Sequence, residues 1–312
     1  MNSTVAVARP VLNFRTLIAW PVMLFVSMLP DILFQELTGH LPDWLFGAKL
    51  VLICTLLVGS LFWENLRSLR LFFGVLLTLF ALEWGVTRFF DGLSYRSWLA
   101  AASPFVQQVG LVQITRITTA ILMTLAMLAV FRRFDRFFLV KGRLDAPAQP
   151  IPLILTRPPS WRILGPAIAG AMCLGLLVFV FAFGRPPALA SLAQALTSAS
   201  SVEPPLLTFV LLFAASNAFG EEMLYRAPWL AALEGPVGPA HALLMTAAYF
   251  GISHYYGVPY GALGMVMAFI PGWLNGKAML ETRGFFWAWF IHFWMDVVIF
   301  FFMALGAVSP SG

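Results

Sequence analysis

The chain has 312 residues, 60% of them hydrophobic and only 11% charged, with a formal net charge of +5 at pH 7. So few charges cannot cover the surface of a water-soluble fold of this size, and several apolar runs of about 20 residues are each long enough to cross roughly 30 Å of hydrocarbon as a helix. A soluble globular class is excluded. The two cysteines, Cys54 and Cys173, each inside an apolar run, leave no disulfide framework or thiolate metal site and read as buried small hydrophobes. Net positive charge in such a chain reports topology before partners, so it implies no nucleic acid.

The fold class that follows is all-α: a polytopic integral membrane protein of about eight to nine transmembrane helices. In chain order the candidate spans are roughly 14–34, 46–63, 69–87, 105–131, 163–183, 205–233, 240–256, 259–280 and 285–305. The first run, Leu17 to Phe34, follows Arg9 and Arg15. Pro30, Asp31 and Glu36 stand where a signal peptide would carry a small-residue cleavage motif, so it reads as an uncleaved span. Only Gly257, Val258 and Pro259 separate the seventh run from the eighth, and if those two form a less regular unit the count is eight. Parts of 92–104 and 188–200 read as interfacial helices. Many of the 30 Phe and 11 Trp residues flank the apolar runs, as membrane-interface anchors do.

The longest polar connection, 132–162, holds Arg132, Arg133, Arg136, Lys141, Arg143, Arg157 and Arg162 with two acids. The positive-inside rule places it in the cytoplasm, and alternation then puts the N-terminus inside and the C-terminus outside. Thirteen of the 19 Lys and Arg residues then fall inside and four (Lys49, Arg88, Arg96 and Arg185) outside, with Arg116 and Arg226 within spans. Contact with the anionic lipid of the bilayer is a secondary role for the loop. The loop divides the chain into an N-terminal four-helix membrane region, 1–131, of unassigned role, and a C-terminal membrane region, 163–312. No repeat of fixed period and no pair of matching broken helices is present, which counts against a repeat-built transporter.

Intramembrane polar residues concentrate in the C-terminal region. The stretch "FGEEMLYRAPW", Phe219 to Trp229, sets two adjacent carboxylates and an arginine in an apolar run, where each charge costs at least about 2.5–3.5 kcal/mol. Glu222 and Arg226 are i and i+4, share a helix face and can pair. Glu221 is turned about 100° away and is left free, with Asn217 one turn earlier as a hydrogen-bond neighbour. Pro228, just beyond, is placed to bend the helix. Histidine is scarce, with four in the chain: His40 in a loop, His241 at the start of the seventh run, His254 closing "YFGISH", and His292 four residues before Asp296 in "FIHFWMD". Counted from the cytoplasmic ends, the helical rises put His254 and His292 at roughly 22 Å and 12 Å, bracketing Glu221 at roughly 18 Å, so one shared site is permitted.

Glu221-Glu222-x-x-x-Arg226, Phe250-x-x-x-His254 and His292-x-x-x-Asp296, in that order in consecutive helices, resemble the three-motif signature of the CPBP intramembrane proteases. That family includes the CAAX prenyl endopeptidases and bacterial abortive-infection homologues. The resemblance covers about 205–304 and implies a catalytic helical core in the C-terminal half. It implies an endopeptidase in which Glu221 and His254 activate a water, His292 and Asp296 stabilise the oxyanion, and Glu222 and Arg226, with Asn217, support the motif helix. The last motif position is often Asn in the family, which donates a hydrogen bond directly. Asp296 donates only when protonated, or acts by orienting His292. The implied partner is a protein or peptide substrate at the membrane, a C-terminal tail being one form, and the implied location is a bacterial inner (cell) membrane.

Glu and His are also zinc-ligand types, so the alternative cofactor is a divalent metal, zinc, on Glu221, His254 and His292. HExxH is absent, and the metal-free mechanism, with no cofactor, is the favoured reading. Neither G-x-S-x-G nor a Cys-His candidate for nucleophilic catalysis is present. Two other function classes remain open on sequence grounds: a proton-coupled transporter that relays charge through Glu221, Glu222 and Asp296, and a non-catalytic membrane scaffold built on a protease-like core.

Overall fold

A computed structural model of the chain describes residues 12–92, 104–151, 154–183 and 206–306. The interfacial helices expected within 92–104 and 188–200 lie outside these residues, but for Gly92 and Pro104 themselves. Among the described residues the α-helices are α1 (Phe14–Val26), α2 (Leu29–Thr38), α3 (Trp44–Phe62), the single turn α4 (Glu64–Arg67), α5 (Arg70–Asp91), α6 (Pro104–Phe131), α7 (Trp161–Phe183), α8 (Leu206–Tyr225), α9 (Ala227–Val237), α10 (Pro239–Ile252), α11 (Ala262–Thr282) and α12 (Phe286–Ala304), with no strand among them.

Every one of the nine apolar runs has become a helix or a helix pair. Among the described residues six stretches are long and apolar enough to cross a membrane: α3, α5, α6, α7, the α8–α9 stretch and α12. The bent pair α1–α2 makes a seventh. The expected seventh and eighth spans are the less regular ones: α10 has only 14 residues, and α11, which carries Asn275, Lys277 and Glu281, falls short in apolar character. These two helices pack side by side, where Gly276 has no Cβ to collide with Leu243.

The 48° bend between α1 and α2 follows from Pro30, which enters the first turn of α2 without an N–H for α1 to use. Ser27 occupies the break, donating from Oγ to Leu24 O at 2.7 Å and accepting from Leu29 N at 3.1 Å. Lys49, counted from sequence on the outer side of the membrane, lies buried on α3. It donates to Ser27 O at 2.7 Å and pairs with Asp31 of α2. The buried side of α3 recurs at Leu45, Lys49 and Ile53. Cys54, one residue on, is rotated about 100° from that side and is exposed, so it is not the buried residue expected, whereas Cys173 is half-buried. Trp44 and Trp63, at the two ends of α3, are exposed as interface anchors are.

The connection 132–160 is a strap rather than a free loop. Arg143 N donates to Thr282 O at 2.8 Å, Phe285 N to Val140 O at 2.7 Å, and Trp287 Nε1 to Leu144 O at 3.1 Å, tying the strap to the α11–α12 turn. Gly142, at φ +73°, passes against Gly284 so closely that a Cβ on either would strike the other's backbone. Trp161 is fully buried, and its indole donates to Glu281 Oε2 at 2.8 Å. The strap's six basic residues, and Arg162 just beyond it in α7, are all exposed. Arg133 grips Asp135 through two hydrogen bonds, of 2.9 and 2.7 Å, and holds that carboxyl below the usual carboxylate range.

At the centre stands α8, packed between α6 and α12. Buried side chains of α1, α5 and α6 join those of α8, α9 and α10 in one apolar cluster, with Trp229 among Phe72, Phe73 and Leu76. The N-terminal helices therefore back directly onto the helices that carry the intramembrane charges.

Candidate functional site

The motif helix is built to stop just after its charges. α8 ends at Tyr225, Arg226 leaves helical geometry at φ −132° and ψ −64°, and α9 begins at Ala227. Pro228 supplies the break, as the sequence suggested: it has no N–H for Leu224 O, and that carbonyl is taken instead by Trp229 Nε1 at 3.1 Å.

Glu222 and Arg226 are paired and both fully buried, as the i,i+4 spacing predicted. The guanidinium lies 4.8 Å from the centre of the Phe250 ring. Glu222 Oε1 also accepts from Asn275 Nδ2 at 3.0 Å and meets His292 Nδ1 at 2.8 Å. The far side of that imidazole, Nε2, is 3.4 Å from Glu221 Oε2 and 3.7 Å from Asp296 Oδ2. His292 thus sits among three carboxylates, and Asp296 is not its direct hydrogen-bond partner.

Two expectations are corrected. Glu221 is not free: Arg116 Nη1 of α6 donates to its Oε1 at 2.6 Å. Asn217 does not hydrogen-bond to Glu221. Its Oδ1 accepts from Gln113 Nε2 at 3.0 Å and from the same Arg116 Nη1, while its Nδ2 donates to Asp296 Oδ2 at 3.0 Å. The physical reason is shared. Intrahelical spacing identifies only neighbours on one helix, whereas α6 lays a guanidinium across the face of α8 that holds both residues.

His254 stands two residues beyond the last helical residue of α10, in a turn, rather than within a span. Its Nδ1 lies 2.7 Å from Phe250 O. A carbonyl can only accept, so the proton is on Nδ1 and the lone pair on Nε2. The ring packs on Phe250 at 4.4 Å between centroids, and Phe250 meets His292 edge-on at 5.9 Å. Glu221, His292 and Arg116 all lie within electrostatic range of His254. The three residues that depth counting bracketed are brought to one neighbourhood, with Phe250 as the spacer between the imidazoles.

Sequence reasoning missed Arg116, Gln113 and Asn275 as members of the cluster. The signal was there in kind, since each is a polar residue inside an apolar run, and Arg116 was already marked as lying within a span. The other two histidines stand apart. His40 is exposed, and His241 is buried, accepting at Nδ1 from Trp20 Nε1 at 3.2 Å.

The sequence leaves a divalent metal as the alternative cofactor. Among the described residues no group of three His, Cys, Asp or Glu is arranged to hold one. Of the zinc set considered, Glu221 gives Oε1 to a guanidinium, and His292 spends Nδ1 on Glu222.

Carboxylates and imidazoles thus gather in one buried cluster among the helices of an all-α membrane protein. The segment that carries them, residues 203–298, matches the family model described as type II CAAX prenyl endopeptidase Rce1-like, a peptidase domain of the CPBP/CAAX protease family. The match spans α8 to most of α12 and leaves α1–α7 outside it. No curated protein and no solved structure matches the chain.

Proposed function

We propose that the chain is an intramembrane endopeptidase of the metal-free, glutamate type. It hydrolyses a peptide bond of a membrane-associated protein or peptide, with water activated by Glu221 and His254. The observation that supports it most is the meeting of Glu221 and His292 at 3.4 Å inside the segment that matches a peptidase family. Glu221 draws a proton from water as the water oxygen bonds to the scissile carbonyl carbon, and the carbonyl π pair moves onto its oxygen. His254, with its proton fixed on Nδ1 by Phe250 O, offers the Nε2 lone pair to orient that water. As an imidazolium, His292 donates through Nδ1 to Glu222 and aims Nε2–H at the developing oxyanion. Asp296 stands behind it at 3.7 Å and keeps negative charge beside the ring. The proton held by Glu221 then passes to the amide nitrogen, the C–N bond breaks, and an amine and a carboxylic acid leave, with the Glu221 carboxylate restored.

The family's name points to prenylated CAAX tails, peptides whose modified cysteine lies four residues from the C-terminus, as the substrate class. The exposed basic side chains of 132–162 support a cytoplasmic position for that connection, and with it an inside N-terminus and an outside C-terminus.

The test uses full-length protein in liposomes and an internally quenched peptide ending in a farnesylated CAAX sequence. Glu221→Gln is expected to lose about 10²–10⁴-fold in kcat while accumulating normally. Cleavage by this variant at the wild-type rate would overturn the assignment of Glu221 as base.

A further inference from the structure

We propose that Arg116, supplied by α6 from outside the matched segment, is a positioning residue for Glu221, so that the N-terminal helices complete the catalytic site. The inference rests on the reading of Glu221 as the general base and adds to it a residue from another part of the chain.

Three independent observations carry it. The first is the hydrogen-bond pattern. A single nitrogen, Arg116 Nη1, contacts both Glu221 Oε1 and Asn217 Oδ1, and Asn217 passes the contact to Asp296 through its Nδ2. The guanidinium thereby fixes two of the carboxylates that surround His292 relative to each other.

The second is the fit of the backbone to the arginine. Gly220, the residue before the glutamate pair, lies under the Arg116 side chain. A Cβ there would come within 2.9 Å of Arg116 Cγ and 3.3 Å of Cδ. The glycine of "FGEE" is the slot through which the arginine stem crosses α8 to reach Glu221.

The third is the support behind the arginine. Gln113, one turn earlier on α6, donates to Asn217 Oδ1 at 3.0 Å and accepts from Ser216 Oγ at 3.0 Å, so α6 is pinned to α8 one turn before Arg116. The charged groups facing the guanidinium come from three helices: Glu221 from α8, Asp296 from α12 and Glu83 from α5. Tyr225, at the end of α8, also lies in range and donates to Glu83 Oε1 at 2.8 Å. A packing arginine would need one counter-ion. This one spans the base and the oxyanion pair, and among the described residues it donates hydrogen bonds to site residues alone.

A guanidinium in this place restrains the glutamate by direction as well as by charge, because its N–H is planar and fixed. Arg116→Lys keeps the charge but replaces the planar, fixed N–H pair of Nη1 by a rotating ammonium on a shorter stem, which holds Asn217 and Glu221 less rigidly.

The experiment measures kcat and KM for the farnesylated quenched peptide on full-length protein with Arg116→Ala, Arg116→Lys, Gly220→Ala and the Arg116→Ala/Gly220→Ala double variant, with Glu221→Gln alongside. Arg116→Ala is expected to lower kcat by about 10²-fold, the scale of a misplaced catalytic group, with KM nearly unchanged. Millimolar methylguanidinium is expected to restore it several-fold, a rescue that a merely structural role would not give. Arg116→Lys should lie between wild type and Arg116→Ala. Gly220→Ala should lower kcat by itself and add nothing once Arg116 is gone, since no stem remains to be displaced. Should Arg116→Ala fail to accumulate, Arg116→Lys and Gly220→Ala decide the matter by the same kcat readout. Wild-type kcat in Arg116→Ala, loss without guanidinium rescue, or full additivity with Gly220→Ala would each overturn the inference. If Glu221→Gln is inactive and the Arg116 variants turn over normally, only this inference falls. If Glu221→Gln is fully active, the reading of Glu221 as base falls first.

Discussion

Asp296 is the residue whose chemistry departs from the simplest oxyanion donor, and its surroundings say how. It accepts a hydrogen bond from Asn217 Nδ2 at 3.0 Å, and its Oδ2 faces His292 Nε2 from 3.7 Å. As a carboxylate it cannot donate, and it acts instead on the two donors it faces, the His292 imidazole and the Asn217 amide. Asp296→Asn keeps the acceptor oxygen toward Asn217 and adds an N–H where an oxyanion can use it. That variant is expected to retain activity within about tenfold of wild type. Asp296→Ala removes both functions and, by the scale of a lost oxyanion donor, should cost about 10²–10³ in kcat. The peptide-cleavage assay checks both, and equal losses in the two variants would show that charge at 296, not hydrogen bonding, is what matters. The intrahelical relations among these residues were legible in the sequence. Glu222 with Arg226, and His292 with Asp296, follow from a spacing of four. The contact of Arg116 with Glu221 spans 105 positions, and no period reports it. Glu221 therefore looked free when α8 was considered alone.

At the scale of the element, the α8–α9 junction shows how a local rule sets up a site. Pro228 removes one hydrogen bond from the helix, Arg226 turns out of helical geometry, and the guanidinium drops onto Phe250. Trp229 closes the account by donating its indole N–H to the freed Leu224 carbonyl. Trp229→Phe keeps most of the buried ring against Phe72 and Tyr249 but leaves that carbonyl unpaired. A buried orphan acceptor costs about 1–3 kcal/mol, so thermal unfolding in detergent should come at lower temperature than in wild type. An unchanged midpoint would mean that another donor satisfies Leu224. The apolar runs themselves were all legible, because length and hydropathy are properties of a segment taken alone. What the sequence did not settle was which of them are full spans. The runs 240–256 and 259–280 read as spans, yet α10 is 14 residues long and α11 carries Asn275, Lys277 and Glu281. Both bury polar side chains on partners, His241 of α10 on Trp20, and Asn275 and Lys277 of α11 on Glu222 and Glu281, and such partners cannot be seen from composition.

For the whole molecule, the open quantity is which way the bundle faces the two sides of the membrane, and the strap decides it. The strap carries six exposed basic residues and is bolted to the α11–α12 turn through Arg143 and Val140, with Trp161 of α7 beside them on Glu281. The side of the membrane it occupies is therefore also the side to which that turn, with Arg283 paired to Glu234 at the end of α9, belongs. The charges of Arg132, Arg133, Arg136 and Arg283 thus gather at one end of the bundle as a consequence of packing, and the positive-inside rule applies to the end as a unit. Seven spanning stretches, with α10 and α11 forming a shorter unit among them, still leave the strap on one definite side. The check is chemical. In a background with Cys54→Ser and Cys173→Ser, Arg157→Cys places a single thiol on the exposed strap. In intact cells it is expected to resist a membrane-impermeant maleimide and to react fully once the inner face is opened. Full labelling in intact cells would put the strap outside and reverse the orientation. It would also move any soluble stretch of substrate approaching that end of the bundle to the opposite compartment.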